Sequence, residues 1–407
     1  MNLSVWEVYF YKQSKKFRMM NRIKISLLLI ALTVSQLTFA QKAEDIQGIA
    51  KEAKTEGYYK TQSELWKNKT VESPKDAHAW HMYYKAKRAY YQLSDYDMWL
   101  ANRNDIFAKL KPIIVDSKKT IDGSYEYYLL ESMNTDSDKS IDFTMKAYEI
   151  DPNRTETYES LLVEYVITDN VQKATEISKR MLACNYYSNA LYKWNYNALQ
   201  TVEKDGVFIT QGDNDSMPRW ILQYGKGIRK DVTVVNMWIL NRSKEYRERI
   251  FAKLGVPTLV KKKSDAIPEV DFVNSIMIHV LKTSKKPAYV GCGLDVKIFK
   301  EAGISDKMFL VGTAFTYSDS KIDNLAMLKK NFEYNYELEY LMNEFQVHSE
   351  DEHVKKQVNL TYIPGIMKLK QHYSLAGDEQ KCAYYSGLFE RIAQESGREE
   401  QINAWYK

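Results

Sequence analysis

The sequence predicts an α/β-plus-α chain: a small parallel-sheet, three-layer domain flanked by tetratricopeptide-like helical hairpins. Three observations predict it. Glycine and proline are scarce, 16 and 8 of 407 residues, which favours helices. Nine of the glycines fall between Gly206 and Gly312, where short apolar runs alternate with helical patterns. The flanks are glycine-poor and carry apolar residues at helical spacing. The predicted regions are 1–40, an export signal with an N-terminal extension; 41–199, helical; 200–320, α/β; and 321–407, helical.

The first region reads as an address. Asn21-Arg22-Ile23-Lys24 is basic, Ile25 to Val34 is apolar, and Ser35 to Ala40 ends in a small residue. That is the order of a secretory signal peptide. The apolar run is shorter than the roughly 20 residues of a membrane span, and no later run approaches that length. Met19 or Met20 is the more natural start, so residues 1–18 read as a mis-assigned extension. Cleavage is expected after Ala40. Gln41 follows, so no lipid anchor on a first cysteine is expected. The expected location is periplasmic or secreted.

Removing this segment changes the charge. The chain has 58 basic and 53 acidic residues. Residues 1–40 hold six bases and one acid, which leaves 52 of each. A balanced charge argues against a nucleic-acid partner. Cys184, Cys292 and Cys382 are far apart, and no pair has metal-site spacing.

In the helical region, Ala77–Leu93 and Tyr125–Met133 read as helices. Ala147-Tyr148-Glu149-Ile150-Asp151-Pro152-Asn153 reads as a helix end, with Pro152 stopping one helix and starting the next. Thr157 to Met181 reads as a helix pair. Tyr158, Leu161, Leu162 and Tyr165 form one face, and Thr168-Asp169-Asn170 turns the chain. Ala174, Ser178 and Met181 place small or apolar residues opposite. These offsets match a tetratricopeptide repeat.

The central region alternates. Gly206–Thr210, Asp231–Met237, Pro287–Gly291 and Met308–Gly312 read as buried strands. Helices are expected at Pro218–Tyr224, Ser243–Leu254, Phe272–Lys282 and Leu294–Ala302. Strands separated by helices predict a four-stranded parallel sheet. In the last region Ile366, Leu369 and Tyr373 face inward, Gly377-Asp378 turns, and Cys382, Ser386 and Phe389 continue the same spacing. A helix from Glu379 is expected to end at Gly397.

Ligands of open parallel sheets bind beyond the carboxyl ends of strands. That rule selects Gln211 to Ser216, then Asn236, Trp238, Asn241 and Arg242, then Gly291-Cys292-Gly293, then Thr313 and Tyr317. Gly212-Asp213-Asn214-Asp215 is the most unusual segment. Its carboxylates and amide can hydrogen-bond sugar hydroxyls or hold a hard cation, with Trp238 or Tyr317 as a stacking face. The competing reading is turn chemistry, with Asp215 or Ser216 capping a helix that Pro218 starts. Cys292 between two glycines is a candidate nucleophile. No phosphate loop, dinucleotide glycine pattern or Gly-x-Ser-x-Gly elbow is present, so no cofactor is expected. His78 and His81, and His348 and His353 flanking Glu350-Asp351-Glu352, read as core or surface groups. Gly225-Lys226-Gly227 reads as a helix C-cap, and Lys261-Lys262-Lys263 as an exposed loop. No metal site is expected.

Gly212-Asp213-Asn214-Asp215-Ser216-Met217-Pro218-Arg219-Trp220-Ile221-Leu222-Gln223 resembles a signature of an uncharacterised bacterial membrane family labelled protein O-mannosyltransferase-like. Gly227-Ile228-Arg229-Lys230-Asp231-Val232, Val234-Val235-Asn236, Leu240-Asn241 and Lys286-Pro287-Ala288-Tyr289-Val290 continue the resemblance over roughly residues 200–320. In that family this soluble part follows many membrane helices. Arg219 stands where the family is apolar. The resemblance implies a shared extracytoplasmic module; it does not imply sugar transfer by this chain.

The leading expectation is an exported, non-catalytic binding or scaffolding protein with a protein or glycan partner. Its ligand-binding residues would be Asp213, Asn214, Asp215, Asn236, Trp238 and Asn241. The alternative is a metal-assisted enzyme acting on glycans or glycolipids through Asp213 or Asp215.

Overall fold

The computed structural model describes residues 42–49, 51, 54–135, 139–259, 269–342 and 352–405. The expected signal with Gln41, the Lys261-Lys262-Lys263 loop, and His348, Glu350 and Asp351 lie outside the described residues.

The chain begins with α1 (Glu56–Glu72), α2 (Ala77–Ser94), α3 (Tyr96–Ala101), α4 (Arg103–Ile121), α5 (Tyr125–Met133) and α6 (Lys139–Ile150). Side-chain caps start several of them: Thr55 accepts from Tyr58 N–H, Asp76 from Ala79 N–H and Ser124 from Tyr127 N–H. Their apolar faces close small separate clusters, one around Trp80, Tyr84 and Leu110, another around Tyr59, Trp66 and Ala86.

From Tyr158 onward a single core runs through to Ile402. It opens with α7 (Tyr158–Ile167), α8 (Val171–Ala183) and α9 (Asn189–Thr201). The expected helix pair is α7 and α8, packed together. Tyr158, Leu161 and Leu162 are buried on the first, and Ala174, Ser178 and Met181 on the second. Tyr165 is only half-buried. The small Ser178 serves a contact that the spacing does not predict. A Cβ added at Gly225, in the helix after the first strand, would stand 3.3 Å from the Ser178 Cβ. The helix pair is thus seated on the α/β region.

That region comprises β1 (Val207–Thr210), α10 (Asp213–Lys226), β2 (Thr233–Asn236), α11 (Met237–Arg242), α12 (Lys244–Leu254), α13 (Glu269–Thr283), β3 (Ala288–Gly291), α14 (Lys297–Glu301), β4 (Met308–Leu310) and β5 (Ala314–Tyr317). The sheet order is β2-β1-β3-β5-β4. β1 lies parallel to both β2 and β3, with Phe208 opposite Val234 and Tyr289. Every residue of β1 and β2 is buried, so helices cover both faces.

The expected four-stranded parallel sheet is corrected to a five-stranded mixed one. β5 runs antiparallel between β3 and β4, with Phe315 opposite Val290 and Leu310. The reason is the short connection after β4. Val311-Gly312-Thr313 turns the chain straight back, and Val311 N–H donates to Ala314 O at 3.0 Å. A parallel neighbour would need a long crossover, whereas an antiparallel one needs only a turn. Thr313 and Tyr317, expected beyond a strand end, instead lie in that turn and within β5.

The chain continues with α15 (Asn324–Lys330), a π turn (Asn331–Asn335), α16 (Glu339–Met342), α17 (Glu352–Val358), α18 (Ile363–Leu375), α19 (Glu379–Ser396) and α20 (Glu399–Trp405). α18 and α19 form the expected hairpin. Ile366, Leu369, Tyr373 and Phe389 are buried. Asp378 caps α19, and Gly397 ends it at φ 67°. The 3-10 turn Asn359–Tyr362, which precedes α18, locks onto α9: Trp194 Nε1 donates to Thr361 Oγ1 at 2.9 Å, and Asn197 Nδ2 to the Tyr362 hydroxyl at 2.8 Å. No helix among the described residues is long and apolar enough to cross a membrane.

Candidate functional site

The turn between β1 and α10 builds the site. α10 starts at Asp213, with Gly212 as its extended N-cap, rather than near Pro218 as expected. Pro218 is inside the helix, where it has no N–H to give the carbonyl four residues back. That carbonyl belongs to Asn214. The side chain of Asn195, on α9, takes it: Nδ2 donates to Asn214 O at 3.0 Å and to Leu191 O at 2.9 Å. A proline that would orphan a buried acceptor is thus repaired from another helix.

The Asp215 carboxylate faces inward. Its two oxygens accept from the backbone N–H groups of Gln211 and Gly212, each at 2.8 Å. This is the return half of a capping box. The Ser216 hydroxyl sits between Gly212 O (2.6 Å), Thr210 Oγ1 (2.6 Å) and Asn236 Nδ2 (2.9 Å). Asn236 is buried and spends its other end capping α11, where Oδ1 accepts from Trp238 N–H and Ile239 N–H at 2.9 and 3.2 Å. Asp215, Ser216 and Asn236 therefore tie the carboxyl ends of β1 and β2 together.

Beneath this turn lies Arg219, only 1% exposed. Its guanidinium carbon stands 4.0 Å from the Phe208 ring centroid and 5.1 Å from that of Trp194. Its Nε and Nη1 have no hydrogen-bond partner. Burial pushes Arg219 down to about 10, with Asp215 opposing, so it remains a cation at neutral pH. Burial likewise raises Asp215, against the pull of Arg219 and the two amides. The buried charges balance through space rather than by contact.

Asp213 differs. Its side chain is exposed at the mouth of the turn, with Arg242, Glu159 and Tyr187 in electrostatic reach. Loss of water raises it to about 6, helped by the charges of Glu159 and Asp215 and opposed by Arg242. Glu159, on α7, accepts from the Tyr187 hydroxyl at 2.6 Å. Asp213 thus feels charges from both regions, Arg242 of the α/β region and Glu159 of the helical region.

Of the six expected ligand-binding residues, only Asp213 has an exposed side chain; Arg242, also selected by the strand-end rule, is exposed as well. Asn214 is half-buried and its carbonyl is used by Asn195. Trp238 and Asn241 are half-buried, and Asn241 O accepts from Arg247 Nη1 at 3.1 Å. Sequence reasoning missed Glu159, Tyr187 and Asn195. Only Asn195 had a local signal, the carbonyl that Pro218 leaves without a donor. Cys292 donates its thiol to Thr361 O at 3.0 Å, and burial pushes it up to about 12, which keeps it protonated and unsuited to nucleophilic attack. His78 meets Asp45 at the surface, and His81 is buried. No three His, Cys, Asp or Glu residues among those described converge to hold a metal ion. A cavity of about 550 Å³ between α13 and α14 shares no residue with the mouth.

The family model TMEM260-associated domain 2 matches residues 191–248. The matched segment runs from α9 through β1, α10, β2 and α11 into α12, and so contains Asn195, the Gly212–Asp215 turn, Asn236 and Arg242. The match fits similarity to a TMEM260-like, O-mannosyltransferase-related family over this part of the chain. No curated protein matches the chain.

The shared segment is largely occupied by structural work. Arg229 donates to Leu199 O and Val202 O at 2.8 Å each and pairs with Asp231. Gln223 Nε2 donates to Arg229 O and Val232 O at 2.8 and 2.7 Å. These bonds hold the loop before β2 against the end of α9.

Proposed function

We propose that the protein is an exported binding or scaffolding protein, periplasmic or secreted, that engages a protein or glycan partner. The observation that carries this reading is the division of labour at the turn. Asp215 and Asn236 build it, while the Asp213 side chain is left exposed in electrostatic reach of Glu159, Tyr187 and Arg242. Carboxylates, a phenol and a guanidinium offer the mixed acceptors and donors that hydroxyl-rich ligands need. The half-buried Trp238 follows the end of the neighbouring strand β2 and supplies an apolar face for a sugar ring. The α7–α8 and α18–α19 hairpins, read as tetratricopeptide-like, would present the protein-binding surface.

Asp213 raised to about 6 also suits a general base, which keeps an enzymatic reading in view. A metal held jointly by Asp213 and Asp215 is less well supported, because both Asp215 oxygens already accept amide hydrogens. The test is a glycan array probed with the wild-type chain and Asp213→Ala. The reading expects glycans retained by the wild type and lost by the variant at unchanged melting temperature. Binding that ignores the substitution would remove Asp213 from the site. Turnover of a bound glycan would replace scaffolding with catalysis.

A further inference from the structure

A second cavity, of about 420 Å³, lies at the opposite end of α10 from the mouth. Its walls come from the α7–α8 turn, the C-terminal half of α10, the start of β2 and α12. The charged lining residues are Asp169, Lys230, Arg249 and Lys253, a clear cationic excess. Arg249 is fixed in place, its Nη1 and Nη2 donating to Ile167 O and Val166 O at 2.7 and 2.9 Å. Lys230 and Lys253 are exposed and enter no ion pair among the described residues.

Helix capping does not account for the two lysines. Backbone N–H groups already close both helices: Gly227 N–H donates to Gln223 O and Ile228 N–H to Leu222 O, each at 3.1 Å, at the end of α10, and Gly255 N–H to Ala252 O at 3.3 Å at the end of α12, where Lys253 sits. A second observation points to a ligand. Tyr246 lines the cavity and is 1% exposed, yet its buried hydroxyl has no hydrogen-bond partner. Native folds seldom leave such a group unpaired. Apart from Gln223 and Thr233 the rest of the wall is aliphatic or aromatic, and Val171 at the rim is 53% exposed.

We propose that this cavity binds a small organic anion, with a carboxylate or phosphate head between Lys230 and Lys253 and an apolar body against Val171 and the aromatic wall. Its size suits a ligand of modest mass. The site is independent of Asp213, because the two stand at opposite ends of α10.

The test is calorimetric titration of the full chain with phenyl phosphate, benzoate and inorganic phosphate. Saturable binding of phenyl phosphate or benzoate is expected, and the tighter of the two identifies the head group. Lys230→Ala with Lys253→Ala should weaken it about tenfold or more, because two charge-assisted contacts are lost. These side chains are exposed, so the melting temperature should hold. Tyr246→Phe should weaken binding if its hydroxyl turns to the ligand, and Asp213→Asn should leave it unchanged. No saturable binding of either organic anion, or equal binding by the double variant, would overturn the proposal. Inorganic phosphate binding as tightly as phenyl phosphate would overturn the role of the apolar wall.

Discussion

At the N-terminal end of α10 stand Asp213, Asp215 and the neighbouring Glu159; at its C-terminal end stand Lys226, Lys230 and Lys253. This polarity is the one a helix macrodipole favours. The two ends nevertheless use their charges differently. At the first, one acid is folded into the turn and accepts two backbone N–H groups, and the other is left facing a mouth. At the second, backbone N–H groups complete the cap and the lysines stay unpaired. A helix end needs its complement of charge only once. What remains after capping is what a ligand can meet.

Three substitutions sharpen the contrast. The largest effect is expected from Asn236→Ala. It removes the α11 cap and the bonds to Ser216 and Gly212, and should cost about 2–4 kcal/mol in chemical denaturation. A cost under about 1 kcal/mol would return Asn236 to the list of ligand groups.

Arg219 comes next. Two of its nitrogens are unpaired, and its surroundings are aromatic. Arg219→Met keeps volume and loses the charge. Removal of two unpaired buried nitrogens should offset the lost attraction to Asp215, which keeps its two amide donors, and hold stability within about 1 kcal/mol of the wild type. A large loss would show that the Asp215–Arg219 attraction outweighs desolvation.

The smallest effect belongs to Asp213 and depends on pH. Its folded value of about 6 lies above the ordinary 3.8, so the folded state holds the proton more tightly. Stability from this group is greatest below pH 4 and is lost as pH rises towards 6. Asp213→Asn should remove that slope and stabilise the protein at pH 7 by less than about 1 kcal/mol, since solvent screens an exposed carboxyl. Denaturation midpoints measured across that window check the sign. A variant that keeps the slope would exclude Asp213 as its source.

Much of this arrangement was legible in the sequence. Tyr125–Met133 forms α5 with the expected bounds, Ser243 caps α12, and Gly227 and Gly397 close their helices at positive φ. Such signals are local, which is why they can be read. The sheet was less legible. Ala314–Tyr317 alternates buried and half-buried residues, but the Val311-Gly312-Thr313 turn lacks the usual hairpin residues, so the sequence does not announce β5. Gly312 suits that turn for a remote reason: the Tyr336 hydroxyl and Thr201 crowd it.

The Gly212–Asp215 segment stood out in the sequence as a unit. Its internal division did not. Asp213 and Asp215 are the same residue type two positions apart, and only their places in the first helical turn give them opposite tasks. Glu159 and Tyr187 belong to another region of the chain, and nothing near them in sequence marks their meeting with Asp213.

The division of labour between the two aspartates is tested most directly by paired thermal melts of Asp213→Asn and Asp215→Asn at pH 7. Asp215→Asn should melt lower, by the equivalent of about 1–3 kcal/mol, because it loses an amide acceptor and the charge facing buried Arg219. Asp213→Asn should melt at or slightly above the wild type. If Asp213→Asn falls as far as Asp215→Asn, both acids are structural and the mouth is not a site.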